Sequence, residues 1–302
     1  MKYNKWLDEW MIGCVKPMVK RRTFEKYSDL LYRVICPCLG EYEVNELSSF
    51  VLQSFTATLA ERYAPNTVKG IISLVKQSLV KAEVLGIVDK QYSNLIQCPK
   101  PREKKITGLS VADQRKIEQY ILSCKDNKLI GVLLSLYTGL RIGELLSLEW
   151  KDVDFQKSTL TVSKNCYDAW ENGTYQKIST TPKTESSNRI IPIPKQLIPY
   201  LKAVKRRSAD SHIVIGRDGK SVSIRSYQRT FELLLKRLKI PHCGFHALRH
   251  TFATRALECG MDIKALSEIL GHKNPMITLS RYSHSFMDYK SALMNKLGKN
   301  LQ

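Results

Sequence analysis

The chain has no apolar run long enough to cross a membrane, and it has few acidic residues for its size. Of its 302 residues, 28 are Asp or Glu and 48 are Lys or Arg, which gives a formal net charge of +20 at pH 7. Its apolar stretches, such as Leu129–Leu136, fall short of the roughly 18 residues of a membrane span. The N-terminus lacks a signal-peptide core, so we expect a cytoplasmic protein. The positive charge predicts a polyanionic partner, above all nucleic acid.

The sequence also lacks the motifs of nucleotide-dependent and metal-dependent enzymes. It contains no Gly-x-x-x-x-Gly-Lys-Ser/Thr phosphate loop. Its eight cysteines are scattered, and the tightest pair, Cys36 and Cys38, has one intervening residue instead of two and no second pair to complete a zinc site. We therefore expect no cofactor and no bound metal, and cysteines that remain reduced.

The length of the chain and a basic segment with two prolines predict two domains joined by a linker. About 150 residues make a typical domain. Residues 97–106 contain two prolines and four basic residues, and proline disfavours helix at and before its own position. We predict a first domain over residues 1–96, a linker over 97–106, and a second domain over 107–302.

Hydrophobic periodicity predicts that the first domain is helical and the second is mixed. The fold class is therefore mostly α with a small antiparallel β-sheet. In the first domain, helices are predicted over Asn4–Cys14, Thr23–Ile35 (ending at Pro37 and Gly40), Leu47–Tyr63 and from Pro65 onwards. In the second, we predict a helix that Ser110 caps and that runs to Cys124, and a buried helix over Leu129–Tyr137. Strands are predicted over Ser158–Ser163, Gln176–Thr181 and Arg189–Ile193, and helices from Lys195 onwards.

Two clusters in the second domain place arginine and histidine where they could bind a phosphate. In Thr138–Leu145, a glycine turn ends one helix, Arg141 opens the next, and Glu144 follows three residues later to hold the arginine. Further on, His246, Arg249 and His250 are spaced three and four residues apart, which puts them on one helical face. Guanidinium groups bind phosphate bidentately, and imidazole can give or take a proton.

A third cluster, Leu270–Tyr282, contains another histidine and a tyrosine. Gly271 is predicted to close one helix, and Asn274–Pro275 to cap the next. Tyr282 would then lie near the end of that short helix, ten residues after His272. A single tyrosine usually packs in a core, so its position after the other two clusters is what makes it a candidate.

Together these clusters resemble the tyrosine recombinase (phage integrase) family. The matching segments are Thr138–Leu145, His246–His250, Leu270–His272 and Arg281–Tyr282, in that order. The segment 180–192 resembles the family's β-hairpin, which carries a lysine at its turn. The N-terminal helices resemble its core-binding, SAM-like domain, which implies a DNA-binding domain over 1–96. Residues 107–302 would then form the catalytic domain with its C-terminal tail helix. The resemblance thus covers nearly the whole chain.

The resemblance implies that three residues take part in nucleophilic attack and proton transfer. Tyr282 would attack a DNA phosphodiester and form a 3′-phosphotyrosine, which frees a 5′-hydroxyl. Lys183 would protonate the departing 5′ oxygen, and His246 would take or position the tyrosine proton. A tyrosine hydroxyl titrates near ~10, so it needs a base or a cationic field to attack at neutral pH.

The same resemblance assigns the phosphate clamp and its support. Arg141 and Arg249 would bind the two non-bridging oxygens, and His272 would donate a hydrogen bond to the phosphate. Glu144 would support Arg141, and His250 would be structural. Preorganised cations of this kind stabilise the negative charge of the transition state without a metal.

The implied partners are double-stranded DNA recombination sites and further copies of the chain. Lys69, Lys76, Lys104 and Lys105 are candidate DNA contacts. The tail at 285–297 has helical apolar spacing, and in the family such a tail docks on a neighbouring protomer, which implies a homotetramer working through a Holliday junction. Excision or host accessory factors are further implied partners.

Four readings of the function compete. The Thr-Pro-Lys-Thr-x-Ser-Ser-x-Arg stretch at 181–189 and the long insertion at 163–176 favour an integrase of a mobile element. A chromosome-dimer-resolution recombinase has about the same length and is the alternative. A non-catalytic DNA-binding regulator is disfavoured by the complete set of site residues, and a metal-dependent nuclease would need clustered carboxylates.

Overall fold

A computed structural model describes residues 1–88, 108–124, 126–171, 174–180, 188–207, 214–217 and 220–272, with residues 274, 276, 294–295 and 298. The chain divides into two compact units, Met1–Lys104 and Lys105–Gln302. The predicted linker at 97–106 lies outside the described residues. No helix among the described residues is long and apolar enough to span a membrane.

The first unit is entirely helical in its described part apart from one isolated β-bridge. Its α-helices are α1 (Tyr3–Trp10), α2 (Arg21–Leu30), α3 (Cys36–Leu39), α4 (Ser49–Arg62) and α5 (Pro65–Val84). Helix α1 packs on α5, where the Tyr3 hydroxyl lies 2.6 Å from Ser78 Oγ and Trp6 Nε1 donates to the Ser78 carbonyl at 3.1 Å. The predicted apolar stripe of α5 is fully buried, which confirms the fourth predicted helix.

Of the two predicted stops of the second helix, Gly40 is confirmed as the C-cap of α3 and Pro37 is wrong. Helix α2 continues through a π-helical turn, Leu31–Ile35, directly into α3, which contains Pro37 in its first turn. In the π turn the Cys36 amide donates to the Leu31 carbonyl, five residues back. A new helical start follows, and proline is tolerated in a first turn because its missing N–H would have no intrahelical partner there.

The second unit surrounds a buried helix. Its helices are α6 (Val111–Ser123), α7 (Ile130–Thr138), α8 (Ile142–Leu146), α9 (Ile198–Arg207), α10 (Ile224–Arg237), α11 (His246–Glu258) and α12 (Ile263–Leu270). Ser110 caps α6 as predicted, accepting from the Asp113 amide. Eight of the nine residues of α7 are buried, which makes it the centre of the core.

The strands of the second unit form three small antiparallel sheets. They are β1 (Val153–Asp154), β2 (Thr159–Val162), β3 (Asn165–Glu171), β4 (Thr174–Thr180), β5 (Arg189–Pro192), β6 (Gly216–Arg217) and β7 (Lys220–Ser221). The sheet order is β1-β2-β5, with separate β3-β4 and β6-β7 ribbons. This arrangement confirms the fold class of a mostly helical protein with a small antiparallel sheet.

The hairpin predicted between the strands at 176–181 and 189–193 is wrong. Strand β5 pairs with β2, whereas β4 pairs with β3 in a register that joins Glu171 to Thr174. The two residues between them, Asn172 and Gly173, are a dipeptide typical of two-residue hairpin turns. The insertion therefore folds as a ribbon of its own, and strand β3 was missed.

Candidate active site

The turn between α7 and α8 presents Arg141. Gly139 ends α7 with φ +66°, and a Cβ there would lie 2.6 Å from Phe252 Cδ1, so glycine is required both by conformation and by space. Arg141 is the N-cap of α8. Its backbone amide donates to Glu144 Oε2 at 2.9 Å and its Nη1 to Glu144 Oε1 at 2.8 Å. The predicted support of Arg141 by Glu144 is thus present.

Glu144 is held by a second arginine that the sequence did not single out. Arg189 Nη2 donates to Glu144 Oε2 at 2.9 Å and Nη1 to Oε1 at 3.1 Å. Burial raises the pKa of the Glu144 carboxyl, but the hydrogen bonds and positive charge of Arg189, followed by those of Arg141, outweigh it and lower the pKa to about 2. The carboxylate therefore stays ionised at neutral pH.

Helix α11 supplies the predicted face of His246, Arg249 and His250. Arg249 is only 3% exposed, and it reaches across to the α7–α8 turn, where Nη1 donates to the Gly139 carbonyl at 2.7 Å. His246 is exposed, and its ring lies edge-on to the buried His250 ring with centroids 4.7 Å apart. The helix thus displays one histidine and buries the other.

The end of α12 brings the third cluster to the same place. Gly271 ends the helix in the left-handed conformation, with φ +63°, as predicted. Arg249 Nη2 donates to the Leu270 carbonyl at 2.6 Å and lies 2.9 Å from His272 Nε2. Arg141 Nη2 donates to the Gly271 carbonyl at 3.4 Å.

The structure therefore brings together Arg141, Arg249 and His272 from three segments far apart in the sequence. Their side chains and the backbone turns at 139 and 270–272 form one connected hydrogen-bonded group. Lys183 and Tyr282 lie outside the described residues, so their roles stay predictions.

Two lysines beside α8 were missed by the sequence reasoning. Lys164 lies two residues beyond the end of β2, and its carbonyl lies 3.0 Å from Ser147 Oγ at the end of α8. Lys177, on β4, donates from Nζ to the Leu146 carbonyl at 2.5 Å, and burial lowers the pKa of its ammonium group. The sequence does contain a signal for Lys164, because this lysine directly follows the predicted strand Ser158–Ser163.

The predicted DNA contacts fall partly within the described residues. Lys69 is exposed on α5, and Lys76 is half-buried beside an open groove lined also by Ser73, Val80 and Val84. Lys104 and Lys105 lie outside the described residues. Across the described part of the chain, no group of three or more His, Cys, Asp or Glu side chains could hold a metal ion.

Two arginines and a histidine thus share one hydrogen-bonded group on a mostly helical unit with a small sheet. The model of the phage integrase family matches residues 90–288. The chain belongs to this family, whose enzymes are the tyrosine recombinases.

Relatives with curated names fall into two groups. A tyrosine recombinase XerC-like protein of Caldanaerobacter subterraneus is 29% identical over 96% of this chain and 81% of the relative. The transposase of transposon Tn916 from Enterococcus faecalis is 30% identical over 67% of this chain but only 51% of the relative. The chain thus spans about half the length of the transposase.

Solved structures share the fold. The integrase of transposon Tn1549, in complex with a circular intermediate DNA, matches with a TM-score of 0.82 at 22% identity, over 98% of this chain and 99% of that one. A lambda integrase tetramer bound to a Holliday junction matches with a TM-score of 0.73 at 18% identity, over 93% and 77% of the two chains.

Proposed function

We propose that this protein is a site-specific DNA recombinase that acts as the integrase of a mobile element. The observation that carries the proposal is the convergence of Arg141, Arg249 and His272, with Arg249 Nη2 2.9 Å from His272 Nε2. Family membership supports strand transfer as the reaction. The transposase and integrase relatives support a mobile element, and the XerC-like relative keeps chromosome-dimer resolution as the alternative.

The proposed reaction exchanges one phosphodiester for another of similar energy. The Tyr282 oxygen bonds to phosphorus, the bond to the 5′ oxygen breaks, and that oxygen leaves as a hydroxyl after protonation. A 5′-hydroxyl of the partner duplex then attacks the phosphotyrosine and releases the tyrosine. This chemistry is like that of type IB topoisomerases, and it needs no nucleotide because the covalent link conserves the bond energy.

The described residues would act on the negative charge that this reaction develops. Arg141 and Arg249 would bind the non-bridging oxygens, and His272 would donate to one of them. His246, exposed one helical turn before Arg249 on the same helix, would receive the tyrosine proton. Donors fixed in advance are the largest contribution to such catalysis, and the backbone contacts of Arg249 fix it in this way.

The DNA partners and the assembly follow from the same proposal. The relatives of known structure are bound to DNA, and one is a tetramer on a Holliday junction. We propose that this chain also assembles as a tetramer on two duplexes, with the tail at 285–297 docking in trans, Lys69, Lys76, Lys104 and Lys105 contacting phosphates, and accessory factors setting direction.

A covalent-trapping experiment that samples many candidate DNA sequences tests the reaction. The protein is incubated with a pool of nicked duplexes that tile the DNA flanking its gene, supplemented with duplexes of random sequence. Trapped DNA is detected on a denaturing gel and sequenced. We expect a protease-sensitive adduct that forms at the same rate in EDTA as in Mg²⁺. A strict Mg²⁺ requirement, or no adduct from folded protein, would contradict the proposal.

The identity of the proton donor is a separate prediction. We propose Lys183, and Lys164 and Lys177 are the alternatives. The Lys177 ammonium donates to α8 at the Leu146 carbonyl, and the Lys164 backbone contacts the end of α8 while its ammonium binds Glu149. We expect Lys183→Ala to slow cleavage by about 10²–10⁴-fold. Replacing the bridging 5′ oxygen of the DNA with sulfur should restore the rate, because a thiolate leaves without protonation.

Lys164→Ala and Lys177→Ala are the matched controls for this comparison. Each removes one lysine beside α8, and we expect that sulfur does not rescue any slowing of cleavage that these variants cause. If the sulfur substrate rescues Lys164→Ala and not Lys183→Ala, the donor is Lys164 and the assignment of Lys183 is wrong.

A further inference from the structure

We propose that Arg189 is a positioning residue that sets the orientation of Arg141 and of the turn that carries His272. The inference rests on the proposed function, since it assigns a role within the same site. Arg189 is the first residue of β5. It closely follows the segment that contains Lys183, and it contacts both α8 and α12.

Arg189 first contacts Glu144, to which it donates two hydrogen bonds. Two guanidinium nitrogens bind the two carboxylate oxygens separately, at 3.1 and 2.9 Å, and both side chains are 6% exposed. The same carboxylate binds Arg141 through its backbone amide and its Nη1. Because Arg189 fixes the plane of the carboxylate, it also fixes the direction from which Arg141 is held.

The second contact of Arg189 reaches the end of α12. Its Nε donates to the Ile269 carbonyl at 2.6 Å. A Cβ on Gly271 would lie 2.9 Å from Arg189 Nη1, so the guanidinium packs directly against the turn before His272. The Arg189 side chain thus joins β5, which follows the Lys183 segment in the sequence, to the two turns that present Arg141 and His272.

Lysine cannot reproduce this geometry. Its ammonium is a single point on a flexible chain, whereas three nitrogens of Arg189 are used in three fixed directions. The structure therefore predicts that charge alone at position 189 leaves cleavage impaired. Side chains that orient the groups in direct contact with a reacting centre commonly contribute about 10–100-fold in activity.

A double-mutant cycle in the rate of single-turnover cleavage tests the inference. The variants are Arg189→Lys, Arg189→Met, Arg141→Ala and the Arg189→Met/Arg141→Ala pair, with thermal stability and noncovalent DNA affinity measured on each. We expect Arg189→Lys and Arg189→Met to slow cleavage by about 10–100-fold with DNA affinity unchanged. The pair should cleave faster than the product of the two single effects predicts, because part of the Arg189 effect passes through Arg141.

The matched control is Arg255→Met. Arg255 is also partly buried and joins α11 to the Leu109 carbonyl and to Gln114 of α6, but it belongs to no part of the proposed site. We expect it to lower stability and leave cleavage unchanged. If Arg189→Met destabilises the fold, Arg189→Met/Glu144→Gln removes the buried carboxylate charge that has lost one of its two arginines, and we expect stability to recover while cleavage stays slow.

The outcomes separate the two proposals. Cleavage at the wild-type rate by Arg189→Lys, or effects of Arg189 and Arg141 that multiply fully in the cycle, would overturn the positioning role. Those results leave the recombinase function intact, because the wild-type protein still forms the adduct. Absence of an adduct from the wild-type protein would instead contradict the function itself.

Discussion

Tyr282→Phe is expected to abolish the covalent protein–DNA adduct while DNA binding stays close to that of the wild type. The substitution removes one oxygen atom, and that oxygen is the proposed nucleophile, so no phosphotyrosine can form. Removing a nucleophile commonly lowers a rate by several orders of magnitude. Binding should persist because it depends on phosphate contacts across the duplex, which lysine and arginine residues supply.

The measurement is adduct formation on a denaturing gel, beside a binding titration on the same nicked duplex. Tyr289→Phe is the matched control, because Tyr289 is the next tyrosine along the chain and lies outside the Arg281–Tyr282 pair. We expect Tyr289→Phe to form adducts at the wild-type level. Adducts that persist in Tyr282→Phe and vanish in Tyr289→Phe would move the nucleophile to position 289.

Local sequence patterns were enough to identify candidate site residues. Helix start and end signals, together with spacings of three and four residues, single out Arg141, Arg249 and His272. The structure joins them through contacts with Gly139, Leu270 and Gly271. Their convergence was expected from resemblance rather than from spacing, since no local pattern predicts that position 139 meets position 249.

The features that could not be predicted depend on long-range pairing. Strand β4 was found at about the right residues, but its partner was wrong, because periodicity identifies a strand without identifying its neighbour. The sequence places Arg189 at the start of a strand and at the end of the 181–189 stretch, but it indicates no role for Arg189 in the site. Its contacts with Glu144 and Ile269 join residues 45 and 80 positions away, which sequence spacing does not reveal.

In the N-terminal unit, the sequence around Pro37 is compatible with two structures, a helix end and a new first turn. A proline usually ends a helix, and the sequence predicts that Pro37 does so. The π turn at Leu31–Ile35 makes the same proline compatible with a continuing helix, because the chain starts a new first turn there. Only the backbone hydrogen bond from Cys36 to Leu31 distinguishes the two readings.

Replacing Arg249 should be more damaging than replacing Arg141, in both rate and stability. Arg249 is buried and donates to the carbonyls of Gly139 and Leu270 beside its contact with His272. Arg141 has a side chain that is 38% exposed. Removing one preorganised donor to a developing oxyanion costs about 10²–10³-fold in rate. Arg249→Ala also removes the partner of His272, so we expect a loss of about 10³-fold or more.

The effect on stability separates the two arginines. Arg249→Ala leaves two buried carbonyls without their charged donor, which is expected to cost about 3 kcal/mol in the free energy of unfolding. Arg141→Ala should cost less, because that side chain is partly solvated. The measurements are single-turnover cleavage and chemical denaturation of both variants.

Arg249→Lys provides the sharper comparison, because it keeps the charge. A lysine ammonium cannot donate to both carbonyls and to a phosphate in the directions that the guanidinium uses. We therefore expect Arg249→Lys to bind DNA nearly as well as the wild type and to cleave it at least about 10²-fold more slowly. Cleavage by Arg249→Lys at the wild-type rate would mean that this site needs only a positive charge at position 249, and the proposed clamp would be wrong.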